Sequence, residues 1–201
     1  MSKYTTVTEQ AKKIRKTLKE ELGLTSRKVS VKSGYCGYSS KIDVTVKDLL
    51  VDIKKVEKIA NKFYSVDRCE RSGEILQGGN TYVTVLYDWE MEREHEKTKS
   101  KVAELIYNLF EEERKAGSCG GWTIAKATKP NGVDVDLVYY PSDNGCWGMA
   151  EICNVPIDDK IRVVVHSAEG LKMALSKFDL YAQRNKFTNF RIKSIDNIKS
   201  M

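Results

Sequence analysis

Apolar residues along this chain switch repeatedly between two periods, and the switching restricts the folds open to it. From Thr8 to Leu22 the apolar positions Ala11, Ile14, Leu18 and Leu22 recur at three- and four-residue spacing, the stripe of an amphipathic helix. Gly23 ends the stripe, and Thr8 is the candidate N-cap, with Ala11 standing where a Glu would complete a capping box. Val29 and Val31 then alternate with polar neighbours, as do Ile42, Val44 and Val46 after an interruption rich in Gly, Ser and Tyr. Two strands joined by a flexible loop are expected there. Helical spacing returns at Ile53, Val56, Ala60 and Phe63, inside a helix from Leu50 to Phe63. TYVTVLYDW, from Thr81 to Trp89, reads as a strand after the turn-rich LQGGN, with a shorter strand between Tyr64 and Glu70 as its expected partner. This order predicts a mainly antiparallel sheet with two helices on one face, an α-β-β-α-β-β domain over residues 1–90.

Met91 to Lys115 holds neither Gly nor Pro, and places Val102, Leu105, Ile106, Leu109 and Phe110 on one face after a polar first half. A helix that is polar all round bridges solvent between parts of a protein, so residues 91–116 are expected to connect two units. Gly117, Gly120 and Gly121 stop it. Beyond them Trp122 to Thr128, Val133 to Tyr140, Trp147 to Cys153 and Ile161 to His166 read as strands, with a hairpin turn at Lys129 to Gly132. A helix capped by Ser167 follows, with Leu171, Ala174, Leu175, Phe178 and Ala182 on one face, then a last strand through Phe190 to Ile195. The expected fold class is α+β: two small units, each an antiparallel sheet with packed helices, joined by a long helix, the second unit covering residues 117–201.

A length of 201 residues suits this division, since domains cluster at roughly 100–150 residues. Apolar residues at 41% and charged residues at 31% supply both a core and a solvated surface, which excludes a disordered chain. No run approaches the ~20 apolar residues that span a bilayer, and no apolar stretch follows the first basic residues. The chain is expected in the cytoplasm of its host cell. Cys36, Cys69, Cys119, Cys146 and Cys153 form an odd set without a CxxC pair, which fits reduced thiols better than a disulfide framework or a zinc knuckle.

The net charge of +6 is unevenly placed. Residues 1–32 carry nine basic side chains, Lys3, Lys12, Lys13, Arg15, Lys16, Lys19, Arg27, Lys28 and Lys32, against Glu9, Glu20 and Glu21, whereas the segment from Asp88 to Lys115 is rich in Glu. The most suggestive constellation combines Lys12, Lys16 and Lys19 with Arg27, Lys28 and Lys32, and with the Gly-flanked Tyr35 and Tyr38 beside Lys41. Lys and Arg neutralise phosphates, and tyrosines stack on unpaired bases at about 1–3 kcal/mol each, so this set is the candidate partner or nucleic-acid site. A solvated helix face beside an ordinary hairpin is the competing reading. His95, flanked by Glu92 and Glu96, and His166 lack Cys or His at ligand spacing, and no metal or cofactor is called for. Catalysis would need His166 to meet Cys146 or Cys153 in space, and GSCGGW lacks the Lys and Ser/Thr of a phosphate loop, so binding rather than catalysis is expected. Trp122, Trp147, Tyr139 and Tyr140 are divided between core and interface.

Ile14 to Lys16, the strand Lys28 to Val31, the loop Ser33 to Ser40 and the strand Lys41 to Val46, followed by VEKIANKFYS and TYVTVLYDW, resemble a domain found in large polyvalent proteins of phages and plasmids. The resemblance covers about residues 8–89, and Tyr35, Cys36 and Tyr38 depart from the Ser and Gly of the family loop. It implies carriage on a mobile element and an anti-CRISPR-like role: inhibition of host defence by binding an RNA-guided DNA nuclease, a type II CRISPR effector, or its guide RNA or target DNA. A basic chain is a poor overall mimic of DNA, and only the acidic segment from Met91 to Lys115 imitates phosphate locally. The alternative is a nucleic-acid-binding accessory module with no protein target.

Overall fold

A computed structural model describes residues 6–115, 121–142 and 148–192. The chain divides into two units, Met1–Glu92 and Arg93–Met201.

The first unit begins with α1 (Val7–Leu22), whose buried positions Val7, Ala11, Ile14 and Leu18 follow the apolar stripe. Its N-cap is Thr6 rather than Thr8. The Thr6 side chain accepts from the Glu9 N–H while the Glu9 carboxylate accepts from the Thr6 N–H, a complete capping box. Gly23 closes the helix in the left-handed region at φ 65°. Strands β1 (Val29–Cys36) and β2 (Ser39–Val46) pair antiparallel along their whole length, with Cys36 opposite Ser39. The expected flexible loop is therefore a two-residue turn, Gly37-Tyr38, with Gly37 at φ 58° in the first central position, as a type II′ hairpin requires.

After β2 the chain forms α2 (Ile53–Ala60), capped by Asp52, and one 3₁₀ turn, Asn61–Phe63. It returns as β3 (Thr81–Tyr87), parallel to β2, giving a mixed sheet of order β1-β2-β3. The mainly antiparallel four-stranded expectation fails here because β2 and β3 are joined by a helical crossover, which reverses the chain twice. The expected strand between Tyr64 and Glu70 is reduced to the single bridges Ser65 with Thr81 and Arg68 with Ile75. Asn80 orders this segment from a buried position, accepting from the Asp67 N–H at 2.8 Å and donating to the Leu76 carbonyl at 2.7 Å. Val29, Val31, Ile42, Val44, Val46 and Val85 meet α1 and α2 on one face of the sheet.

The expected long helix is two helices, α3 (Trp89–Lys97) and α4 (Ser100–Lys115). Thr98 breaks it: its hydroxyl donates to the His95 carbonyl at 2.7 Å, competing with the helical ladder. In the second unit α4 buries Ala103, Ile106, Leu109 and Phe110, while Leu105, expected on that face, is 55% exposed. Strands β4 (Trp122–Thr128), β5 (Asp134–Pro141), β6 (Gly148–Cys153) and β7 (Arg162–Val165), then α5 (Ala168–Arg184) and β8 (Thr188–Ile192), complete the unit. All strand pairs are antiparallel in the order β7-β6-β5-β4-β8. The hairpin turn at Lys129 to Gly132 is present, closed by the Lys129 N–H on the Val133 carbonyl at 2.8 Å. α4 and α5 pack on one sheet face, where Leu171, Ala174, Leu175, Phe178 and Ala182 are buried as the period predicts. Among the described residues no helix is long and apolar enough to cross a membrane.

Candidate functional site

On α1, Lys12, Arg15 and Lys19 stand at i, i+3 and i+7, a basic stripe one residue along from the buried Ala11, Ile14 and Leu18. That offset aims the stripe at the flank of the helix, where the sheet ends. The sheet order leaves β1 at an edge, and between α1 and this edge lies a groove of about 500 Å³. Arg15, Lys19, Leu24, Thr25, Val29 and Val31 are among the residues lining it, and no carboxylate does. The Arg15 guanidinium donates to the Val31 carbonyl, covering one acceptor of the edge strand, where Val29 and Val31 are buried.

Ion pairing separates the candidate cations further. Lys28 meets Asp48 at 2.9 Å, Lys41 meets Asp43 at 2.9 Å, and Lys16 lies 3.8 Å from Glu20. The hydrogen bond to Asp43 holds the Lys41 ammonium above the usual lysine range. Among the described residues Lys12, Lys19, Arg27 and Lys32 have no carboxylate partner, so their charge is available to a ligand.

Strand alternation divides the rest of the constellation between two faces. Tyr35 shares the face of Val29 and Val31, toward α1, whereas Lys32 and Lys41 point to the opposite face with Asp43 and Tyr82. Tyr35 is 74% and Tyr38 88% exposed at the hairpin tip. The structure therefore unites Lys12 and Lys19 along one flank, adds Arg15, and sets Lys32 and Lys41 apart from them. Arg15 was legible as the middle of the Ile14 to Lys16 word, but only the register shows that it reaches β1.

In the second unit the pairing of Gly148 with Val165 places His166 beyond one end of β6, while Cys153 closes the other end, about 16 Å away by strand rise. Cys153 instead lies 3.7 Å from the Tyr140 hydroxyl. Cys119, Cys146, Trp147 and most of GSCGGW lie outside the described residues. Trp122 and Tyr139 flank Phe110 in a stack with centroids 4.8 and 4.5 Å from it, whereas Tyr140 is 43% exposed. Among the described residues no three metal-ligating side chains cluster.

His95 departs most from its expected place on a solvated helix. Its side chain is 19% exposed, with Nε2 at 3.6 Å from Asp179, which also takes Lys99 at 2.5 Å and Gln183 at 2.9 Å. Burial holds its imidazole below the usual histidine range, against the pull of Asp179.

The chain matches no family model, no curated protein and no solved structure.

Proposed function

We propose that this protein acts by binding rather than catalysis, as a mobile-element inhibitor that blocks an RNA-guided DNA nuclease, with the basic flank of the first unit as its contact surface. The observation that carries the reading is the stripe Lys12, Arg15 and Lys19, largely free of acidic partners, of which Arg15 and Lys19 line a groove without carboxylates. Such a surface attracts acidic protein, guide RNA or target DNA, each part of a loaded nuclease. The nuclease as target class comes from the resemblance of residues 8–89 to domains of polyvalent mobile-element proteins. Cleavage of target DNA by a guide-loaded type II effector, with and without the protein, tests it. Inhibition at stoichiometric protein is expected; full cleavage across several effectors would overturn it.

A second reading, an accessory module for bare nucleic acid, is favoured by Tyr35 and Tyr38, whose exposed rings at a two-residue turn suit base stacking. Binding to free single strands with a steep salt dependence, without inhibition of cleavage, would select it.

A further inference from the structure

The hydrogen-bond parity of β1 fixes which backbone groups face the groove. The Lys47 N–H bonds to the Lys28 carbonyl, so Lys28 and Lys47 form a hydrogen-bonded pair, and the alternation continues through Ser30 with Thr45, Lys32 with Asp43 and Gly34 with Lys41. The intervening residues Val29, Val31, Ser33 and Tyr35 therefore turn their N–H and C=O groups outward. The Val29 N–H is taken by the Thr25 carbonyl at 3.0 Å and the Val31 carbonyl by Arg15. Both groups of Ser33 and of Tyr35 have no partner among the described residues, whereas Val31 is buried with Arg15 on its carbonyl.

Lys19 and Val29 line the groove together and Arg15 reaches Val31, so α1 and β1 run in opposite directions. With rises of about 1.5 Å per helical and 3.3 Å per strand residue, Lys12 falls beside Ser33. Lys12 thus borders the open backbone at Ser33, and Arg15 and Lys19 continue the row of cations past Val31 and Val29.

We infer that this edge captures an acidic, extended peptide segment of a protein partner as a fourth strand beside β1, its backbone pairing with Ser33 and Tyr35 and its carboxylates meeting Lys12, Arg15 and Lys19. The inference rests on the reading of this flank as a contact surface and names what the surface takes. A nucleic-acid backbone satisfies the cations but not the strand: phosphates accept from N–H groups, whereas the outward carbonyls of Ser33 and Tyr35 need donors at strand spacing, which a peptide supplies. Arg15 keeps its bond to Val31 and offers its remaining N–H groups to a carboxylate.

The test uses the full chain and a synthetic peptide alternating Glu with Val and Thr. The peptide is expected to bind and to slow amide exchange at Ser33 and Tyr35. Alternate N-methylation of the peptide, which leaves its charge intact, should weaken binding about tenfold or more, because outward hydrogen bonds are lost. Ser33→Pro should do the same, since it removes an outward N–H from an edge strand without touching the β1–β2 ladder. Binding that ignores both changes is electrostatic only and overturns the inference, as does single-stranded DNA protecting the same amides. If the wild type inhibits a nuclease and Ser33→Pro inhibits equally well, strand capture fails while the functional reading stands. Strand-specific peptide binding without nuclease inhibition gives the converse.

Discussion

At the scale of single residues, His95 shows how a polar-looking sequence hides a buried contact. EREHEK reads as a solvated helix turn, yet His95 rests against Asp179 and the Ser176 backbone of α5, with Lys99 and Glu96 also in its field. Because burial lowers its pKa, the unfolded chain binds more protons than the native one below about pH 6.5, and stability there rises with pH. The contribution of neutral His95 is complete above that pH and is lost as the pH falls toward the native value. Urea denaturation between about pH 5 and 7 should show wild type losing stability on acidification more steeply than His95→Gln. Parallel curves would assign the pH dependence to other groups. Glu151 adds to acid loss at lower pH, since hydrogen bonds from Lys160 and Arg162 hold its carboxyl below the usual range.

At the scale of elements, α1 depends on its first turn, where four N–H groups lack helical partners. Thr6→Ala removes the acceptor for the Glu9 N–H and should cost about 1 kcal/mol in chemical denaturation, with Thr8→Ala nearly neutral. Equal losses at both positions would return the cap to Thr8. The helices were legible because their apolar periods are long: Leu171, Ala174, Leu175, Phe178 and Ala182 are all buried in α5, although burial also takes in Lys172, Ser176, Asp179 and Leu180. The cap was misplaced because both Thr6 and Thr8 precede the stripe, and only Thr6 has Glu three residues on. The direction of β3 was illegible because periodicity marks a strand without saying which neighbour it pairs with. The break after Lys97 was missed because a side-chain hydroxyl, not Gly or Pro, competes with the ladder. The candidate basic set was legible as charge but not as geometry, since strand parity decides that Tyr35 faces the α1 side and Lys41 the other.

At the scale of the whole molecule, two α+β units carry different surfaces. The first presents an edge strand bordered by cations without acidic partners, and the second pairs its acids with bases in two separate groups, Glu151 with Lys160 and Arg162, and Asp179 with Lys99. Net charge of +6 concerns association rather than fold, so the arrangement of its cations is what separates a docking surface from general solubility. The most direct measurement compares two charge reversals in nuclease inhibition: Lys12→Glu with Lys19→Glu on α1, and Lys58→Glu with Lys62→Glu in the α2 segment, equal in charge and placed elsewhere. The account predicts that the α1 pair raises the half-inhibitory concentration about tenfold or more while the control pair leaves it within about twofold. Equal effects from both pairs, or none from the α1 pair, would contradict it.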